Sequence, residues 1–493
     1  MLKITGLFAG VAALGAAAAA VLAWYPPLGG RQEARRRLHY AQSPHYTGDK
    51  FANPSGASAS MEAGTMLGVM GEMLRRAPQR RPSRPLRVEP MRLGKAARLG
   101  EEEASSAGSS GRATATVAAD AASAVRAVGA TGPATSHDAA SHGSTRAGSS
   151  VSEAVPQSAA QSDPLQAESG SQDNAQPGIV HSDAAASGAA RTARSGAARV
   201  TWFGHSALLV ELDGKTLLLD PMLGRAPSPV PWVGGRRYSA GLPAEPEQLP
   251  PIDAVILSHD HYDHLDYGTI RKLRHKVKHY YVPLGVGAHL RRWGVAEARI
   301  TELDWWQEAD ADGLRLACTP AQHFSGRSLT DRGRTLWCSW VIAGAEQRLF
   351  FSGDSGYGAH FREIGERYGP FDLTMMECGQ YDPRWADIHM LPEQTVQAQL
   401  DVRGKAMIPV HWGAFTLALH SWTDPVERVL RAAAEHELAV ATPRIGETVE
   451  AGAEAYPMTP WWIEAERADA QAGTRHERPE RERRMRKLCP PAK

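Results

Sequence analysis

Two runs of alternating apolar and polar positions flank Asp213-Gly214 in ARVTWFGHSALLVELDGKTLLLDPML, the pattern of half-buried strands. Asp-Gly between such runs signals a two-residue hairpin turn, because both of its central positions take positive φ. Two strands are therefore expected to open a folded domain at Arg199. IDAVILSHDH follows as a short continuous apolar run, the mark of a strand covered on both faces. HYYVPLG, LRLACTPAQH, RTLWCSWVIAG, QRLFFSGDSG, DLTMMECG, KAMIPVHWG and ATPRIGETVE share that habit. Helical patterns intervene at Tyr267 to His275, His360 to Arg367, Pro392 to Asp401 and Asp424 to His436. Strands interleaved with helices, with polar clusters recurring at strand ends, predict a layered α/β protein whose site lies along one sheet edge.

Elsewhere the pattern changes character. Ile4 to Trp24 is an uncharged run, ITGLFAGVAALGAAAAAVLAW, close to the roughly 20 residues that cross a bilayer. It fits a membrane anchor and a cleavable signal peptide equally. Arg31, Arg35, Arg36 and Arg37 follow it, so an anchor would keep the rest of the chain cytoplasmic, whereas a signal peptide would export it. Residues 98–197 are dominated by Ala, Ser, Gly and Thr and are expected to be disordered, since they offer too little apolar area to offset ordering entropy. The chain thus divides into an anchor or signal (1–30), a lead-in packing on the main domain (31–97), a low-complexity linker (98–197), the main domain (198–465) and a charged tail (466–493). The lead-in carries SPHYTGDKFANPSG and a helical-looking stretch from Met61 to Leu74.

Composition adds mainly exclusions. In 493 residues, 55 Lys and Arg nearly cancel 54 Asp and Glu, so no global field favours nucleic acid. Cys318, Cys338, Cys378 and Cys489 show no CxxC spacing, which leaves any metal chemistry to histidine and carboxylate.

That chemistry is concentrated in Ser258-His259-Asp260-His261-Tyr262-Asp263-His264-Leu265-Asp266, an HxHxDH pattern directly after IDAVIL. Residues two apart leave a strand end on the same side, so His259 and His261 can serve one ion. Asp263 and His264 can face a second. Two ions demand further ligands at later strand ends, and His323, Asp354 and His411 each close an apolar run. Imidazole and carboxylate without thiolate suit two zinc ions first, with iron or manganese as substitutes. His205 in FGHS is expected to support the site rather than ligate. Asp260 and Asp266 are read as orienting ligand imidazoles, with helix capping an equal alternative for Asp266. Trp305 and Trp306 are read as core packing.

Together these segments resemble the metallo-β-lactamase superfamily, and more narrowly its branch of N-acylphosphatidylethanolamine-hydrolysing phospholipase D. TWFGHSALLVELDGKTLLLDP, LPPIDAVILSHDHYDHLD, ELDWW, TPAQHFSGR, FFSGDSGYG, YDPRW and PVHWGAF carry the resemblance across most of residues 199–440. It implies an αββα sandwich. It also implies one metal on His259, His261 and His323, a second on Asp263, His264 and His411, and Asp354 bridging them, with a hydroxide between the ions as nucleophile. Asp263 and His389 become the catalytic candidates, His389 near the scissile phosphate or leaving group. The segment ADIHM departs from the branch's pattern, which bears on lipid specificity more than on hydrolysis. The expected reaction is cleavage of a phosphodiester in an N-acylphosphatidylethanolamine at a membrane; a lactone or small phosphoester is the soluble alternative. A non-catalytic scaffold and a nuclease are the other classes, and the intact ligand set and the balanced charge weigh against them. A homodimer is compatible with the reading.

Overall fold

In the computed structural model the described residues are 25–54, 56, 63–75, 77–91, 196–230, 232–328 and 330–465. The apolar run 4–24, the block 98–195 and the tail 466–493 lie outside them. Among the described residues no helix is long and apolar enough to cross a membrane.

The lead-in forms α1 (Ala34–Tyr40), a small hairpin of β1 (Tyr46–Thr47) and β2 (Lys50–Phe51), and α2 (Ala63–Leu74). Tyr40 and Phe51 are buried in the main core, so this segment belongs to the same packed unit as residues 196–465.

The Asp213-Gly214 turn forms as its residues require, with φ of 48° and 73°. It does not join the first two strands, however. Three strands open the domain: β3 (Arg199–Trp202), β4 (Leu208–Leu212) and β5 (Lys215–Leu219). Gly204 and His205 take positive φ and break the first apolar run into two, so alternation continues across a turn that carries no Asn-Gly or Asp-Gly signal. The first sheet continues through β6 (Ile252–Ile256), β7 (Val277–Pro283) and β8 (Ile300–Leu303), and β5 to β8 are parallel. The second sheet runs β9 (Glu308–Ala311), β10 (Leu314–Thr319), β11 (Ser339–Ala343), β12 (Arg348–Phe351), β13 (Leu373–Glu377), β14 (Ala406–Val410) and β15 (Ala439–Val440), parallel from β12 onward. A last strand, β16 (Thr448–Glu450), returns to pair with β3.

Each parallel step needs a crossover, which a long loop with one 3-10 turn (Pro246–Gln248) supplies between β5 and β6 and helices supply elsewhere. α3 (Tyr267–Leu273) and α4 (Gly287–Arg292) serve the first sheet; α5 (His360–Tyr368), α6 (Pro392–Asp401) and α7 (Asp424–Glu435) serve the second. Leu209, Leu218 and Val255 pack outward with Ile270, Leu273 and Leu290 of the helices. Their neighbours Val210, Leu217 and Ile256 face the other way and share one core with the second sheet. The Trp340 indole crosses between the sheets and donates to the Leu257 carbonyl at 2.9 Å. On the far side Phe350 packs against Phe361 of α5 and Phe371, with ring centroids 6.4 and 5.3 Å away. The result is the helix–sheet–sheet–helix order of an αββα sandwich, with parallel strand ends of both sheets meeting at one edge. α4, β8 and β9 were not foreseen, because GVGAHLRR and the polar ITEL and EADA show no clear period.

Phe350 is fully buried, so Phe350→Ala is expected to destabilise by about 3–5 kcal/mol through lost transfer energy and a residual cavity; urea unfolding checks this. Burial depresses the His360 imidazole to about 3, with Ser355 Oγ 3.1 Å from its Nε2. The folded state therefore keeps it neutral while the unfolded chain protonates it near 6.5. Its stabilisation is present above that pH and is lost as pH falls toward 3, at up to about 1.4 kcal/mol per pH unit. Replacing His360 with Gln is expected to flatten the fall of the unfolding midpoint between pH 6 and 4.

Candidate metal centre

The site is built from strand ends. β6 leads into His259 and His261, and the following turn carries Asp263 and His264 before α3 begins. β10 leads to His323, β12 to Asp354 and β14 to His411. Residues from two sheets can meet because Gly353 lets the strands approach. A Cβ there would sit 2.7 Å from the Ser258 Cβ and 2.8 Å from the Cys338 carbonyl oxygen, and its φ is 55°.

All seven residues converge in one buried cluster. His259 Nε2 lies 2.9 Å from His261 Nδ1, which lies 3.1 Å from His323 Nε2. Asp354 Oδ2 is 3.7 and 3.8 Å from the Nε2 atoms of His259 and His323, and 3.1 Å from those of both His264 and His411. Asp263 Oδ2 lies 3.2 Å from His411 Nε2 and 3.4 Å from His264 Nε2. Among the described residues four overlapping groups of donors have their atoms within 4.8 Å, and two of them take in all seven ligand candidates: His259, His261, His323 and Asp354, and His205, Asp263, His264 and His411. Asp354 stands between them.

The outer nitrogens determine what the inner ones can do. His323 Nδ1 donates to the Ile388 carbonyl at 2.9 Å, His411 Nδ1 to the Gly379 carbonyl at 3.2 Å, and His264 Nδ1 lies 2.7 Å from Asp220 Oδ2. A carbonyl accepts only from N–H, so Nε2 presents a lone pair inward in the neutral ring of His323, and in that of His411 once its inner proton is displaced. His264 Nε2 and Asp354 Oδ1 are buried and make no hydrogen bond. Lone pairs and carboxylate oxygens buried face to face are costly unless a cation lies among them. The donor set therefore fits divalent metal held by nitrogen and oxygen.

Electrostatics carry the same demand. Burial pulls the His411 imidazole down, yet Asp354 and Asp263 override it and lift it to about 10. His264 is likewise raised, with burial outweighed by Asp354, Asp263 and Asp220. These carboxylates call for positive charge. Burial and neighbouring imidazoles hold His259 and His323 well below the ordinary value, which keeps them neutral as ligands must be.

The neighbours divide into those foreseen and those missed. His205 Nε2 lies 2.9 Å from Asp263 Oδ2, within the second donor group rather than behind it. His205 and His411 both take positive φ, 57° and 66°, and are tied together by His411 N to His205 O at 3.1 Å. Asp260 does not orient a ligand imidazole: it points away from the cluster and accepts from Gly326 N, Thr335 Oγ1 and the non-ligating His289 at 2.7, 3.0 and 3.1 Å. Residues alternate in direction along this segment, so the position between His259 and His261 faces the opposite side. Asp266 caps α3 through Thr269 N at 2.7 Å. Trp305 is buried, with its indole donating to the Trp337 carbonyl, and Trp306 lies under Arg367, whose guanidinium carbon is 4.0 Å from the ring centroid. Sequence reading missed Asp220 and Glu377. Glu377 holds His389 by Nδ1 and lies 3.7 Å from His411 Nδ1. Both acids end apolar runs, the same signal that marked Asp354. His389 sits at the rim, its ring centroid 4.9 Å from that of His323 and 5.2 Å from that of His411.

A β-lactamase superfamily domain is matched over residues 215–412. An uncharacterized protein of Mycobacterium tuberculosis is 48% identical over 269 residues, 53% of this chain and 71% of that protein. The N-acyl-phosphatidylethanolamine-hydrolyzing phospholipase D 1 of Caenorhabditis elegans is 34% identical over 230 residues, 44% of this chain and 64% of the relative. The mitochondrial N-acyl-phosphatidylethanolamine-hydrolyzing phospholipase D of Saccharomyces cerevisiae is 30% identical over 239 residues, 46% of this chain and 50% of the relative.

Purified protein is expected to hold about two divalent ions per chain by elemental analysis, the count of donor groups that one bridging carboxylate can serve. Asp354→Ala should deplete both sites and His323→Ala chiefly one. Full occupancy in the Asp354 variant contradicts the assignment.

Proposed function

Because the chain belongs to the metallo-β-lactamase superfamily and is a metal-dependent hydrolase, we propose that it cleaves a phosphodiester bond in phospholipids of the N-acylphosphatidylethanolamine type. The observation that carries the hydrolytic part is the buried double donor set joined by Asp354. His259, His261, His323 and Asp354 would hold one ion, and Asp263, His264, His411 and Asp354 the other. Bound there, such ions supply acidity that makes a water nucleophilic near neutral pH and positive charge for the oxygen under attack.

The chain's own groups do the positioning. Ile388 and Gly379 carbonyls and the Asp220 carboxylate fix three imidazoles by their outer nitrogens. Glu377, whose carboxyl is raised by burial, engages His389 Nδ1 and leaves Nε2 as the atom for substrate. His389 is then placed to bind a phosphoryl oxygen or deliver a proton to the leaving alkoxide.

Two features favour an anionic lipid over a neutral soluble ester. On the Asp260 side of the HxHxDH segment, lined by none of the seven ligand candidates, lies a cavity of about 960 Å³ whose walls include Arg31, Arg37, Arg292, Arg327 and Arg334. Trp232 and Val233 are 77% and 54% exposed on a loop whose Pro229 carbonyl accepts the Tyr25 hydroxyl at 2.7 Å. Tyr25, which follows the apolar run in sequence, thus bonds the loop that exposes these apolar side chains, an arrangement suited to a lipid surface. The Caenorhabditis elegans and Saccharomyces cerevisiae relatives, both named for N-acyl-phosphatidylethanolamine, support the same choice.

The test is turnover of N-acylphosphatidylethanolamine vesicles beside a soluble phosphodiester and a lactone. Release of N-acylethanolamine and phosphatidate is expected, falling at least about 10³-fold in Asp354→Ala and about 10²-fold in His389→Ala, the scale of lost electrostatic and acid–base catalysis. Turnover of the lactone with none of the lipid would make the soluble alternative correct.

A further inference from the structure

His323 is held at three points, and one of them comes from far outside the matched domain. Its Nδ1 is fixed by Ile388, its Nε2 reaches the cluster, and its backbone N–H donates to Asn53 Oδ1 at 3.0 Å, across 270 positions of sequence. The same Asn53 oxygen accepts the Trp337 indole N–H at 3.1 Å. His323 lies beyond the end of β10, where the ladder has stopped, so its buried N–H needs an acceptor from elsewhere. One side-chain oxygen thereby ties the start of the β10–β11 connection to its end. The lead-in is anchored just before this contact, where Phe51 N donates to the Gly333 carbonyl at 2.7 Å, and Ala52 N closes the lead-in's own hairpin on the His45 carbonyl at 2.9 Å.

We propose that Asn53 is a positioning residue for the metal centre, fixing the backbone of His323 so that its imidazole meets the ion shared with His259 and His261. This rests on reading His323 as a ligand. The role is local to one donor group, because the residue whose backbone Asn53 holds, His323, belongs with His259, His261 and Asp354. An acceptor one bond removed from a ligand commonly sets metal affinity by 10–100-fold.

The experiment is zinc titration of the metal-free full chain against a competing chelator, resolving two binding steps. In Asn53→Ala one step is expected to weaken about tenfold or more while the other stays within about twofold of wild type. Asn53→Asp keeps an acceptor oxygen and should restore the weakened step; Asn53→Gln displaces it by a methylene and should not. Trp337→Phe removes the second donor to that oxygen but leaves the His323 bond, so it should retain both steps. If Asn53→Ala and Asn53→Gln bind both zinc equivalents as tightly as wild type, the inference is overturned while the metal reading stands. Equal weakening of both steps in Asn53→Ala and Trp337→Phe also overturns it, since that marks general loosening. Wild-type protein that takes up no zinc removes the metal reading, and this inference with it.

Discussion

Imidazole lone pairs and two carboxylates are compelled to face one another in a largely buried space. A polypeptide keeps such an arrangement only if positive charge lies within it, because each group left without a partner carries the full cost of its desolvation. The surrounding fold is organised to impose the convergence. Parallel strand ends of two sheets arrive at one edge, Gly353 permits their close approach, and carbonyl or carboxylate groups turn the imidazoles inward by their outer nitrogens. His205 and His411 hold left-handed backbone, a strain of about 1–3 kcal/mol each that persists where the surroundings over-determine it.

Much of this was legible in the residues, for a physical reason. A strand buried on both faces writes itself as an apolar run, and a polar ligand at its end is the first residue allowed to leave that pattern. His259, His323, Asp354 and His411 obey the rule, and the structure brings them together. Asp220 and Glu377 obey it too, at the ends of LLLD and TMME, but an acid at a strand end has many uses, and only the contacts with His264 and His389 distinguish these two. Asp260 was misread because adjacency in sequence suggested adjacency in space, whereas alternation along an extended segment turns it to the opposite side. The early strand count failed at Gly204-His205, where the turn depends on a left-handed histidine whose conformation no local signal announces.

The lead-in shows the limit of reading a domain by its motifs. Nothing in FANPSG signals a role at a site 270 positions away, since a single Asn in a turn-rich stretch is ordinarily a local capping group. Only the folded chain reveals that this segment borders the arginine-walled cavity and touches the loop carrying Trp232 as well as the His323 turn. The proposed membrane contact and ligand geometry thus meet in residues 25–54, on the far side of a long low-complexity block from the strands they support.

The most direct measurement of the central claim is anomalous X-ray scattering from crystals grown with zinc, recorded on either side of the metal's absorption edge. The account predicts two peaks, one bonded to His259, His261 and His323, the other to Asp263, His264 and His411, with Asp354 touching both. Ordered water bridging these side chains, with no anomalous signal at either position, would contradict it.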